Sequence, residues 1–530
     1  MWSRQELVRE RLGSAGPAWL ARNVTAIGLG VFGIALFVAL AGRMVGVDQS
    51  YLMLISQENY LGRAQYSQIY DIQPPAGILI HLPAIVLFRT LGLPIVEGWN
   101  IYMVVLSALS ACLFAARAEL TNRPAVMIIW FACMALGFDD HLLGQRDFFF
   151  AAFWFPYLAA RLTKAGGAAP VLDVVLGVLL SVIVCAKPPF ALFVVLVDLP
   201  ILILCRKRQS IVPLLALVAG SAVQLVHFLL FRSLAEYLMV SEKFSYYTTV
   251  GYKIYPSLIA FFGTSEIYVL ILVVAALLFI APRGSQARRY VLACGMTGLI
   301  TFVVGILQGH PRNYYFIPVV LAAAAAALFT LFHRPENLTK QELSTRRGGR
   351  AGFLAVAGLM AAILQIAFME GGAGRALLKK YVWGYPDTAR IGQSAKDSYV
   401  DWVRAHVPAD QEISVIALQY GTSSAWDPIL STLRLGRRTN SYAPVIQFPL
   451  RAALVSGDEN RIREAWDRLK EEIVSSGANW VIIRRTAPKP LEADFVELIK
   501  KHPYFYDWLL ANYPNQEQFG EYVAFRRARG

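Results

Sequence analysis

The sequence predicts an α-helical polytopic membrane protein of about 11 transmembrane helices that carries a soluble α/β domain at its C-terminal end. Three observations predict it. The chain is 56% hydrophobic and only 16% charged, whereas soluble domains carry about 25% charged residues. Apolar runs recur along residues 1–373, many of them near the roughly 20 residues a bilayer crossing needs. Residues 374–530 then turn polar, and short apolar strand signals alternate there with amphipathic helical ones.

The first run, Val24–Gly46, follows Arg4, Arg9, Arg11 and Arg22, which puts its start on the cytoplasmic side. It is too long for the apolar core of a signal peptide and no A-x-A site follows, so it reads as a retained span. The further spans read as Glu97–Ala116, Pro124–Phe138, Phe148–Ala160, Val171–Ala186, Ala191–Cys205, Ile211–Phe231, Ser257–Ala281, Tyr290–Gln308, Phe316–Phe332 and Ala351–Met369. Basic clusters such as Arg206-Lys207-Arg208 and Arg346-Arg347 then fall in cytoplasmic segments, and the outer loops hold mostly single cations. Arg117 and Arg161 are counted with the cytoplasmic loops. The odd span count places the N-terminus inside and the C-terminal domain outside.

Ala76–Leu93 holds His81, Pro83 and Arg89, and counting it as a span would invert every later loop. It reads instead as an interfacial helix on the outer surface. The first outer loop is therefore long, residues 47–96, and long loops in such proteins often carry function.

In the C-terminal domain, Ile413–Leu418, Trp480–Ile483 and Val523–Arg526 read as strands. Glu459–Ser476, stopped by Gly477, and Glu492–Lys501 read as helices. Alternation of the two suggests a small α/β fold.

The net charge of +14 is spread between apolar runs rather than gathered on a soluble face, which argues against nucleic acid as a partner. Cys112, Cys133, Cys185, Cys205 and Cys294 all lie in or beside apolar runs without C-x2-C spacing, so neither a disulfide framework nor a zinc site is implied.

Ionisable residues between apolar spans are costly and mark candidate sites. Asp48 ends the first span, and Tyr70, Asp71 and Gln73 stand before the Pro74-Pro75 pair. Asp71 has an equally simple reading as a cap or turn residue. The second outer loop holds Asp139, Asp140, His141, Arg146 and Asp147; Asp139, Asp140 and His141 have ligand types for a divalent cation, or else form a solvated loop. Lys187 precedes Pro188-Pro189 and either anchors a phosphate or snorkels at the interface. His310, Arg312 and Tyr314 open the tenth span, where arginine suits phosphate and tyrosine suits either sugar hydroxyls or an aromatic belt. The loop 232–256 is rich in tyrosine but not specific.

Taken in order, Asp48, the stretch Tyr70-Asp71-Ile72-Gln73-Pro74-Pro75-Ala76-Gly77, Gly144-Gln145-Arg146-Asp147, Lys187-Pro188-Pro189 and Tyr314-Tyr315-Phe316-Ile317-Pro318 resemble the GT-C superfamily of membrane glycosyltransferases. The likeness spans roughly residues 20–335. It is nearest the bacterial branch related to dolichyl-phosphate-mannose–protein mannosyltransferases and lipid A aminoarabinose transferases. That resemblance implies a bacterial inner-membrane enzyme with its site on the periplasmic face. The donor would be a sugar linked to a polyprenyl phosphate, and the acceptor an envelope glycan, lipid or protein. Asp48 would be the catalytic carboxylate, assisted by Asp147. Lys187, Arg312 and Arg146 would bind the donor phosphate, and Asp71, Tyr70, Gln73, His310 and Tyr314 would bind substrate. No cofactor is required by this scheme, although a divalent cation at Asp139, Asp140 and His141 is compatible with it. Many relatives carry Asp-Glu at the first position, and this chain has Asp48-Gln49. Two other functions stand beside this one: a transporter or flippase of lipid-linked sugars, and a non-catalytic envelope polysaccharide assembly protein. Transporters place ionisable groups near the midplane, often within repeats.

Overall fold

The computed structural model describes residues 26–37, 47–62, 65–66, 73–93, 95–118, 120, 122–138, 142–162, 170–204, 210–230, 234–241, 265–280, 285–307, 316–332, 398–408, 410–416, 432, 435, 438–439, 450, 453–485 and 494–528. The expected span Ala351–Met369 lies outside them.

The described chain is mostly helical. Its first helices are α1 (Ala26–Phe37), α2 (Val47–Tyr60), α3 (Pro75–Leu79) and α4 (Leu82–Leu91). The bundle continues with α5 (Ile95–Arg117), α6 (Arg123–Leu136), α7 (Arg146–Leu162) and α8 (Pro170–Ala186). It closes with α9 (Pro188–Ile203), α10 (Val212–Leu230), α11 (Ser265–Ile280), α12 (Gln286–Leu307) and α13 (Ile317–Phe332). Three helical stretches, Ile95–Arg117, Val212–Leu230 and Gln286–Val304, are long and apolar enough to cross a membrane. Six shorter apolar helices accompany them among the described residues.

Proline and glycine set the joints. Pro124 of α6 and the Pro188-Pro189 pair of α9 stand in the first turns of their helices, where a missing N–H costs nothing. Helix α9 opens with a 3-10 turn at Pro188–Phe190, ahead of the expected span Ala191–Cys205, and within that span passes through a π-helical turn at Val194–Asp198. Gly177 and Gly220 let α8 and α10 touch: a Cβ on Gly177 would lie 2.3 Å from the Pro213 carbonyl, and one on Gly220 would lie 2.3 Å from Ser181 Oγ. Outward from that seam, Leu215, Val223 and Leu230 of α10 are exposed. At the other extreme, α13 is apolar around its circumference and buried, and α7 is buried from Asp147 to Leu162, as expected for helices at the centre of a bundle.

The interfacial segment is two helices rather than one. The chain breaks at Ile80–His81, and α4 starts with Pro83 in its first turn. Gly77 packs near the Ala186 carbonyl at the end of α8, and Gly98 of α5 sits against the Ala84 carbonyl and Phe88. The segment is thus wedged against the bundle and half-buried, not laid flat on it. The expected loop before it also contains an ordered helix, α2, whose polar residues Gln49, Ser56, Gln57 and Glu58 are buried.

The C-terminal domain holds a five-stranded sheet of β1 (Glu412–Ile416), β2 (Arg438–Thr439), β3 (Trp480–Arg484), β4 (Asn515–Phe519) and β5 (Tyr522–Arg526), in the order β2-β1-β3-β5-β4. β1 runs parallel to β2 and β3, and β5 runs antiparallel to β3 and β4. Ahead of the sheet lies α14 (residues 398–406); after β1 and β2 come α15 (Glu459–Ser476), α16 (Phe495–Lys500) and α17 (Pro503–Asn512). Asp458 caps α15 by accepting from the Arg461 N–H, and Gly477 ends it in the left-handed conformation. Its stripe of Ile462, Ala465, Trp466, Leu469 and Ile473 covers one sheet face. Ile55 of α2 and Ile78 of α3 belong to this same buried cluster, together with Ile416, Val481 and Ile483. The domain and the first loop therefore share a core.

Candidate functional site

The site is built where α7 begins. Leu142–Gly144 make a turn, and Gly144 adopts φ 78, a left-handed conformation that suits glycine. A Cβ there would fall 2.2 Å from Trp99 Cζ2, so no larger residue fits. The Gln145 carbonyl then accepts the Phe148 N–H at 2.8 Å, and α7 starts with Arg146 and Asp147 in its first turn. A carboxylate there is favoured by the helix dipole.

Asp147 meets Lys187, 40 residues on. Lys187 follows the last residue of α8, and Pro188 forbids the helix from continuing. Its extended backbone (φ −143, ψ 89) sends Nζ to within 3.0 Å of Asp147 Oδ1 and 2.7 Å of Oδ2. Both side chains are buried, so Lys187 does not snorkel. Nζ also lies 4.9 Å from the Phe190 ring centre. Burial pulls the Lys187 ammonium below the ordinary lysine range, and the Asp147 charge opposes that pull.

Arg146, half-buried, donates from Nη1 to Gln73 Oε1 and so ties the start of α7 to the loop before α3. Gln73 is itself held through its carbonyl, which accepts from Gln65 Nε2 at 2.8 Å and from Tyr66 Oη at 2.6 Å. On the other side, Gln49 of α2 is fully buried and donates from Nε2 to the Leu143 carbonyl at 3.1 Å. The neighbour of Asp48 is thus bonded to the turn that presents Asp147. Four predicted site residues, Gln73, Arg146, Asp147 and Lys187, come together, with the start of α2 beside them.

One participant the sequence reading missed is His81. Its Nδ1–H donates to the Gly77 carbonyl at 2.9 Å, and its ring stacks on Trp99 at 5.2 Å. Burial lowers its pKa to about 4, the Gly77 bond resists, and the positive charge of Arg146 lowers it further. Its polarity within an apolar run was the available signal.

The remaining candidates Tyr70, Asp71, Asp139, Asp140, His141, His310, Arg312 and Tyr314 lie outside the described residues, as does the side chain of Asp48. Among the described residues no cluster of His, Cys, Asp and Glu has the makings of a metal site.

A second polar network occupies the opposite end of α7. Arg161 Nε donates to Asp198 Oδ1 at 2.7 Å and Tyr157 Oη to Asp198 Oδ2 at 2.7 Å. Arg161 also donates to the Ser210 carbonyl, and Ser210 Oγ donates to Asp173 Oδ2 at 3.0 Å. Arg117 Nε pairs with Asp173 Oδ1 at 2.8 Å. Arg117 and Arg161, expected as cytoplasmic loop charges, are instead buried within α5 and α7, because aspartates on neighbouring helices neutralise them. This network is separated from the Asp147 end by the length of α7, roughly 25 Å at about 1.5 Å per residue.

Comparison of the chain with protein-family models gives no match, and comparison with curated proteins gives none either.

Proposed function

We propose that the protein is a multispan membrane glycosyltransferase of GT-C type, which moves a sugar from a polyprenyl-phosphate donor to an envelope acceptor at the outer membrane face. The observation that carries this reading is the convergence of Gln73, Arg146, Asp147 and Lys187 at the end of the bundle where α2 begins. The three charged groups among them sum to one excess positive charge, with Arg146 bonded to a neutral amide. That is the electrostatic arrangement a departing phosphate needs.

In this mechanism Asp48 takes the proton of the acceptor hydroxyl as that oxygen attacks the anomeric carbon. The bond from the anomeric carbon to the phosphate oxygen breaks, and the electron pair leaves with the phosphate. Arg146 neutralises that charge, joined by Arg312. Lys187 acts differently from a simple phosphate anchor: it is held through both oxygens of Asp147, so Asp147 positions the ammonium. One displacement inverts the anomeric centre. Cations on the chain suffice, and no metal is required by the scheme. The N-terminus is cytoplasmic and the C-terminal domain periplasmic in this topology, which follows from the charge pattern.

A transporter reading draws on the buried ion pairs at both ends of α7. Purified protein mixed with radiolabelled polyprenyl-phosphate sugars and envelope acceptors separates the readings. Transfer without a membrane gradient supports the enzyme. Movement of donor across a vesicle bilayer without transfer supports the transporter. Binding with neither supports the assembly protein.

A further inference from the structure

His81 is buried completely, yet only half of its ring is spoken for. Because the Gly77 group is a carbonyl, the Nδ1 atom must carry the proton, and Nε2 is left as an acceptor lone pair. Nε2 has no hydrogen-bond partner among the described residues. A buried acceptor without a donor costs about 1–3 kcal/mol, and this one stands beside a cationic site. The Gly77 whose carbonyl orients His81 is also the residue over which Gln73 folds: a Cβ on Gly77 would lie 4.0 Å from Gln73 Oε1, the atom that holds Arg146. The Arg146 charge is felt at His81. Trp99, which stacks on the imidazole, is the same ring that requires Gly144 ahead of Arg146.

We propose that His81 Nε2 accepts a hydrogen bond from a hydroxyl of the donor sugar, so that the residue recognises the glycosyl part of a glycosyl phosphate whose phosphate is held by Arg146. The ligand chemistry follows from the juxtaposition. A bare anion satisfies Arg146 and leaves Nε2 unfilled, whereas a hydroxyl-bearing phosphate satisfies both. In this arrangement the phosphate replaces Gln73 Oε1 as the acceptor on Arg146. The inference rests on the proposed donor site, and His81 is a sugar-binding residue in it.

The two ring nitrogens can be tested separately. Asparagine places an amide N–H near the Nδ1 position and has nothing at Nε2; glutamine places an amide oxygen near Nε2. The probes are citronellyl phosphate, a short prenyl phosphate, and a panel of its hexosides and pentosides, titrated into detergent-purified full-length protein. At least one glycosylated probe should bind wild type about threefold to tenfold tighter than citronellyl phosphate itself, the worth of one neutral hydrogen bond. His81→Asn should erase that gain and leave citronellyl phosphate affinity within about twofold, which also shows that the variant is folded. His81→Gln should keep at least half of the gain. A gain that survives His81→Asn overturns the role of His81, as does a fall in citronellyl phosphate affinity equal to that of the glycosides. The donor-site reading fails in a different way: citronellyl phosphate then binds Arg146→Gln as well as it binds wild type, or binds neither.

Discussion

Lys187 Nζ lies 3.0 and 2.7 Å from the two carboxylate oxygens of Asp147, and both side chains are buried. The pair joins the first turn of α7 to the proline-broken end of α8. Removing one partner of such a pair strands the other charge at a cost of about 3–5 kcal/mol. Asp147→Leu and Lys187→Met should each lower stability by that order, and the double variant should lose less than the two summed. A double-mutant cycle on thermal unfolding in detergent measures the coupling. Strict additivity would show that the pair does not hold the helices.

Gln49 donates to the Leu143 carbonyl from a fully buried position. A glutamate carboxylate has no proton to give, so Gln49→Glu sets two acceptors against each other in a dry site. The expected cost is about 1–3 kcal/mol, read as a fall in unfolding temperature, with Gln49→Met milder. This gives a physical reason for glutamine at position 49. Equal stability of Gln49→Glu and wild type at neutral pH would remove that reason.

Gly144 combines a left-handed backbone with a side-chain direction blocked by Trp99. Gly144→Ala should destabilise by at least about 2 kcal/mol from strain and overpacking. Trp99→Leu in the same background should recover the overpacking part only. Folded yield and unfolding temperature report both.

The pH dependence of stability follows from His81. Its pKa falls from 6.5 in the unfolded chain to about 4 in the folded protein. As pH drops below 6.5 the unfolded chain gains a proton that the folded site refuses, so stability is complete above 6.5 and is lost progressively down to about 4. The full span is worth about 3 kcal/mol. Unfolding measured from neutral pH down to about 4 should show this loss in wild type and a flatter profile in His81→Gln. Parallel profiles would mean that His81 is not the responsible group.

Periodicity and breakers located most helices well because those signals are local. The stretch expected as Glu97–Ala116 is a helix at Ile95–Arg117, and the stretch expected as Val171–Ala186 is a helix at Pro170–Ala186. Helix α15 matches its expected bounds because Asp458 and Gly477 punctuate it. Strand β4 escaped notice because Asn515–Phe519 is an exposed edge strand with little apolar pattern. Helix α2 escaped because its buried residues mix polar Gln49, Ser56, Gln57 and Glu58 with apolar Leu52, Met53 and Ile55, and hydrogen bonds such as Gln49 to the Leu143 carbonyl and Ser56 to the Ile78 carbonyl make the polar burial tolerable. The sequence marked Arg146, Asp147, Lys187 and Gln73 as candidates, but not who bonds whom. Asp147 and Lys187 are 40 residues apart, and a pairing at that distance leaves no mark on local pattern. The same holds for Arg161 and Asp198, whose attraction turned an expected loop charge into a core residue.

In the proposed reaction, the end of the bundle carrying Asp147, Lys187 and Arg146 handles the phosphate of a lipid-linked sugar while Asp48 deprotonates the attacking hydroxyl. Release of prenyl phosphate from a radiolabelled prenyl-phosphate sugar, in a single turnover with acceptor present, tests it most directly. Wild type should release it, Asp48→Asn should lose at least about a hundredfold in rate with donor binding retained, and Arg146→Gln should bind donor more weakly. Undiminished release by Asp48→Asn, in folded protein that binds donor normally, would contradict that chemistry.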